Sequence, residues 1–158
     1  MTKIAIGLLL VISSFSFASP IDTAYDLLDA ISYRNGYALE GIFSSDLYLT
    51  LTGFLDQARD LIDADPVLAE NLLLSRYGGE ITVADFDMLT NEEILGRIMG
   101  GVHLQPDNQI EMETADLQGR TATVVISYFD GSSISFQMVW EESNWRISDT
   151  SLLATVFR

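Results

Sequence analysis

YFDGSSISF, residues 128–136, sets an Asp-Gly pair between two runs whose apolar residues alternate. Asp-Gly flanked by such alternation is the strongest short-range signal for a β-hairpin. Before the turn, Ala122, Val124, Ile126 and Tyr128 share one face, with Thr121, Thr123 and Ser127 on the other. After it, Ile134, Phe136, Met138 and Trp140 share a face opposite Ser133, Ser135, Gln137 and Glu141. A two-residue loop at Asp130-Gly131 pairs Ser127 with Ile134 and Val125 with Phe136, which sets an apolar row beside a polar one. A register slip of one residue reverses every side chain, so that pairing is disfavoured. A three-residue loop, Phe129-Asp130-Gly131, pairs Ile126 with Ile134, Val124 with Phe136 and Ala122 with Met138. It also places Gly131 where such loops need a left-handed residue.

The same arithmetic extends outward. Upstream, IEMETADLQGRTATVV (110–125) reads as strand, turn and strand, and a loop Leu117-Gln118-Gly119 pairs Thr114 with Ala122, Met112 with Val124 and Ile110 with Ile126. Downstream, VWEESNWRIS (139–148) requires an even loop, and one at Ser143-Asn144 pairs Trp140 with Ile147. The tryptophans Trp140 and Trp145 are expected to pack together across that last turn. A four-stranded antiparallel meander over residues 108–149 follows, apolar on one face and rich in Ser, Thr, Gln and Glu on the other. The apolar face needs a cover, and the N-terminal half of the chain supplies it.

That half carries helix punctuation. Ser19-Pro20 gives an N-cap and a proline at the first helical position, with Asp22 as a capping carboxylate. Ile21, Ala24, Tyr25, Leu28 and Ile31 form a stripe that Asn35-Gly36 ends, and a short helix YALEGIF (37–43) follows. Ser45 or Asp46 opens a longer helix in which Leu47, Leu51, Phe54, Leu55, Ala58, Leu61 and Ile62 recur at helical spacing. Asp65-Pro66 begins another that runs to Gly78-Gly79. Thr82–Asp85 and Thr90–Glu93 read as capping boxes, the second opening a helix through Ile94, Leu95, Ile98 and Met99. The expected fold class is therefore α+β, with N-terminal helices (19–101) packed on one face of a C-terminal four-stranded antiparallel meander, and a tail at 150–158.

A helical start of the type AYDLLDAISYRNGYALEGIF followed by the meander TATVVISYFDGSSISFQMVWEESNWRIS resembles the nuclear-transport-factor-two-like (cystatin-like) α+β roll. The likeness is greatest to small exported bacterial members of the lumazine-binding-like and SnoaL-like kinds, including the ending Trp145-Arg146-Ile147. The resemblance covers most of the chain after its leader. It implies a curved sheet wrapped on a helix, often with a conical apolar pocket. The positions that match a pocket wall are Tyr128, Phe136, Met138 and Trp140 from the sheet, with Phe43, Tyr48 and Phe54 from the helices. Packed inward on a sheet, the same aromatics fill a core, and a filled core is the expectation. The resemblance also implies an alternative activity, that of an isomerase- or dehydratase-like enzyme with an inward carboxylate; here the candidates are Asp87 with Tyr48 or Tyr128.

The chain opens MTKIAIGLLLVISSFSFASP. Lys3, the apolar run Ile4 to Ile12 and the small-x-small site Ser16-Phe17-Ala18 form a secretory signal peptide, residues 1–18, cleaved to leave Ser19 first. The run is short of the ~20 apolar residues a membrane span needs. Residues 19–158 then form one domain. The leader holds the only lysine, so seven arginines face 23 acidic residues, a side-chain charge of −16. Such a chain repels nucleic acid and anionic lipid at long range, so neither a nucleic-acid partner nor a membrane is expected after cleavage. With no cysteine, stability must come from the core.

Few residues carry chemistry. His103 is the only histidine and reads as a loop residue after Gly100-Gly101 rather than as a base or ligand. Asp63 and Asp65 have the spacing of early calcium ligands, but Pro66 follows and the sharp-turn glycine is missing. Neither a nucleotide-binding glycine pattern nor a nucleophile elbow occurs. No catalytic residue, metal or cofactor is assigned. The expectation is an exported non-catalytic domain, monomer or homodimer, that binds a small apolar ligand or a protein partner.

Overall fold

The computed structural model describes residues 19–156, so the signal peptide expected at 1–18 lies outside the described residues. Ser19 caps helix α1 (Pro20–Ser32): its hydroxyl accepts from Asp22 N at 3.1 Å while Asp22 accepts from Ser19 N at 3.0 Å. Asn35-Gly36 was expected to end this helix. Instead α1 stops at Tyr33, and Gly36 opens α2 (Gly36–Ile42). The reason is a close crossing with α6 (Asn91–Gly100): a Cβ at Gly36 would lie 1.6 Å from Glu92 O, and one at Gly96 would lie 2.4 Å from Arg34 O. Between them run α3 (Ser45–Ala64), α4 (Pro66–Tyr77) and α5 (Val83–Met88). The capping boxes at Thr82 and Thr90 both form.

After a short 3-10 turn, the sheet is β1 (Ile110–Gln118), β2 (Thr121–Tyr128), β3 (Ser133–Glu141) and β4 (Asn144–Thr150), in that spatial order and antiparallel throughout. The protein is thus α+β, with six helices among the described residues before a four-stranded meander. A short α7 (Leu153–Val156) follows within the expected tail.

The central hairpin has the expected register, Ile126 opposite Ile134 and Val124 opposite Phe136, with Gly131 at φ 84°. The outer two differ. Between β1 and β2 the loop is two residues, Gly119-Arg120, so Leu117 faces Ala122 and Ala115 faces Val124. Gly119, at φ 68°, sits first in the loop, as a type II′ turn requires. This register turns Thr114, Asp116 and Gln118 outward, and a bulge between Ile110 and Met112 returns Ile110 to the inner face opposite Tyr128. Between β3 and β4 the loop is Glu142-Ser143, not Ser143-Asn144, and Trp140 faces Trp145 rather than Ile147. Both loop residues are left-handed (φ 48° and 69°), the type I′ geometry that suits strand twist. A bulge at Gln137/Met138 lets Ile147 and Thr150 both point inward.

One core fills the space between helices and sheet. Leu27 and Ile31 of α1, Leu39 and Phe43 around α2, and Ile94, Leu95 and Met99 of α6 meet Val124, Ile126, Tyr128, Phe136, Met138 and Ile147. Helices α1, α2 and α3 contact the sheet, whereas α4 packs on α3 and α5. Trp145-Arg146-Ile147 closes the structure. Trp145 meets Trp140 edge-on with ring centroids 5.3 Å apart. Arg146 Nη1 donates to Glu40 O at 2.7 Å, at the C-terminal end of α2, where a cation is favoured. Ser44 N donates to Ile147 O at 2.8 Å.

Candidate functional site

The α3–α4 hairpin leaves an apolar groove on the helical side of the molecule. Ser44 caps α3 through Leu47 N at 3.3 Å. Asp65 stops α3 and caps α4 through Leu68 N at 3.0 Å, and Pro66 takes the first position of α4. Asp65 is thus occupied with the backbone. Gly78, left-handed at φ 62°, ends α4. Along α3, Phe54, Ala58 and Leu61 follow a helical face, with Leu55 and Ile62 beside them. Ala69, Leu72, Leu73 and Tyr77 of α4 form the opposite wall, and Phe86 of α5 and Ile98 of α6 complete the lining. The groove encloses about 790 Å³.

Polar contacts hold these walls in place. Arg59 Nη1 donates to Phe86 O, its Nη2 to Leu89 O at 3.1 Å, and its guanidinium stacks 5.4 Å over the Phe86 ring. Glu70 accepts from Val83 N at 2.9 Å and so ties α4 to α5. Buried Asp85 accepts from Thr82 N at 2.8 Å and Thr82 Oγ1 at 2.9 Å, and pairs with Arg97 Nη1 at 2.6 Å. The Thr82 backbone N–H holds the Asp85 carboxyl below the usual range, with the Thr82 hydroxyl and Arg97 adding to it against the opposing effect of burial.

At one end of the groove Arg76 and Tyr77, together with Ile98, also line a second, smaller cavity of about 270 Å³ that includes Glu80, Ile81, Val102 and His103. Burial raises the Tyr77 hydroxyl pKa, and the neighbouring Arg76 opposes that rise. His103 is exposed.

The residues singled out from sequence separate into three places. Phe43, Tyr128, Phe136 and Met138 are at most 2 % exposed and belong to the core. Trp140 and Tyr48 sit half-buried at its margin. Tyr48 donates to Glu92 at 3.2 Å, and burial with the Glu92 charge pushes its hydroxyl up to about 12. Phe54 alone of the seven lines the groove, 50 % exposed. Asp87 is exposed on α5. A second carboxylate–hydroxyl pair, Tyr25 donating to Glu113, joins α1 to the edge strand β1.

Sequence reasoning did not single out Ala58, Leu61, Leu73 or Phe86 as site residues. A signal was present in α4. Its run Leu72-Leu73-Leu74, with Val67 and Leu68, distributes apolar side chains around the helix, and only Ala69 of that helix is buried. A short helix that is apolar on several faces and packs on little else marks an exposed apolar surface. No family model, curated protein or solved structure matches the chain.

Proposed function

We propose that the chain is an exported, non-catalytic binding domain that holds a small apolar ligand in the α3–α4 groove. The groove itself carries this reading. Its volume lies within the roughly 300–1,000 Å³ common for small-molecule sites, and its lining is mainly aliphatic and aromatic with few polar groups. Covering exposed apolar surface is favourable by about 25 cal/mol per Å², so an apolar occupant gains directly from entering. Export rests on the leader of residues 1–18, whose removal makes the capping residue Ser19 the first of the mature chain. The resemblance to exported nuclear-transport-factor-two-like domains agrees with this role, although the proposed site lies on the helices and not on the inner face of the sheet.

The alternative of an isomerase- or dehydratase-like enzyme needs a carboxylate facing a bound substrate. Among the described residues no carboxylate lines the groove, and the pairs Tyr25–Glu113 and Tyr48–Glu92 serve as ties between elements. A protein partner is the second binding reading, favoured by Val67, Leu68 and Leu74 exposed on α4 beside the groove. Native mass spectrometry of protein purified from its own host separates these readings. A mature chain beginning at Ser19 and carrying a small-molecule adduct is expected, with the adduct lost in a folded Ala58→Trp variant that fills the groove. An adduct retained by that variant, or a stoichiometric protein partner in place of a small molecule, would overturn the apolar-ligand reading.

A further inference from the structure

Building on the apolar-ligand reading, we infer that the occupant is a free single-chain amphiphile with an anionic head, its chain lying along α3 and α4 and its head held at Arg76. The argument is one of charge placement. The mature chain carries 23 acidic residues against seven arginines, yet among the described residues the groove lining contains one arginine and no carboxylate. Arg76, hydrogen-bonded to Tyr77, stands at the end of an apolar groove, where the groove meets the smaller cavity. A guanidinium has five donors in a planar fork, so it can hold a carboxylate or similar oxyanion while also meeting a neighbour such as Tyr77. Tyr77 offers a hydroxyl to the same head.

Two features oppose an anion, and both are weaker. The net negative charge of the molecule acts at long range, but exposed charges beyond about 8 Å are largely screened at physiological ionic strength. Glu80 lines the smaller cavity and is absent from the groove lining, so a head that arrives along the groove meets Arg76 from the side without a carboxylate. An apolar channel ending in one cation suits a molecule with a long apolar chain and one anionic terminus.

Isothermal titration of the mature protein with dodecanoate, dodecanol and dodecyltrimethylammonium, all below their micellar concentrations, tests this. Dodecanoate is expected to bind about tenfold or more tightly than the cation, with the alcohol between them. Arg76→Gln is expected to abolish the preference for dodecanoate while leaving dodecanol affinity within about twofold, which also shows that the variant is folded. If the three probes bind equally, or the preference survives in Arg76→Gln, the head-group inference fails and the apolar groove stands. If none binds, the ligand reading itself fails. Sedimentation with phosphatidylglycerol vesicles without uptake of free dodecanoate would overturn the inference in favour of a membrane surface.

Discussion

At Gly36 and Gly96 two backbones approach more closely than any side chain permits. A methyl at Gly36 would lie 1.6 Å from the Glu92 carbonyl oxygen, whereas one at Gly41 would meet nothing within 4 Å. Gly96→Ala and Gly36→Ala are therefore expected to cost at least the upper end of the roughly 1–3 kcal/mol typical of overpacking. Gly41→Ala, inside the same short helix, is expected to stabilise by about 0.5–1 kcal/mol. Chemical denaturation reads all three, and equal effects at Gly41 and Gly96 would contradict the close crossing. Asp85 gives a pH-dependent counterpart. Its folded-state pKa lies below its unfolded value of about 3.9, so its stabilisation is complete above that value and fades as pH falls toward the folded one. Asp85→Asn is expected to cost about 1–3 kcal/mol at pH 7. The gap from the parent should narrow below about pH 4 in urea titrations across pH; a gap constant from pH 7 to pH 3 would contradict the assignment.

At the scale of elements, the three hairpins show when alternation is sufficient. In β2 and β3 the apolar rows run unbroken from Ala122 to Tyr128 and from Ile134 to Met138, so only an odd loop aligns them, and Gly131 takes its left-handed position. In β1 and β4 the inward residues change parity: Ile110 with Ala115, and Ile147 with Thr150. Strict alternation cannot bring both members of such a pair inward, and a bulge does. Pattern counting has no mark for that extra residue, which displaces the β1–β2 loop; at β3–β4, loops at 142–143 and 143–144 both align the apolar rows, so alternation does not separate them. The type I′ turn at Glu142-Ser143 was further hidden because it contains neither Asn nor Gly. That conformation costs a non-glycine residue about 1–2 kcal/mol, so Ser143→Gly is expected to stabilise by about 1 kcal/mol in thermal or urea unfolding. Destabilisation by Ser143→Gly would place the turn elsewhere. The site was legible only in part for a related reason. Phe54 was visible on its helical stripe, but Leu73 and Phe86 become neighbours only when α4 folds back beside α3, which depends on the turn at Asp65-Pro66 and not on any local pattern.

At the scale of the whole molecule, the apolar face of the sheet and the apolar face of the hairpin have separate fates. The first is consumed by packing: Phe136 is fully buried in the core between helices and sheet. Phe136→Ala is expected to behave as a core deletion, costing roughly 3–5 kcal/mol in denaturant unfolding. A loss below about 1 kcal/mol would mean that the inner sheet face is an open pocket. The second face remains accessible in the groove between α3 and α4. The central claim is that ligand binds there, and methyl NMR of the mature protein titrated with dodecanol tests it most directly, because a neutral probe reports location independently of any head-group preference. Shifts concentrated on Leu55, Leu61, Ile62, Leu72, Leu73 and Ile98 are predicted; shifts concentrated instead on Ile126, Ile134, Met138 and Ile147 would contradict the account and place the ligand under the sheet.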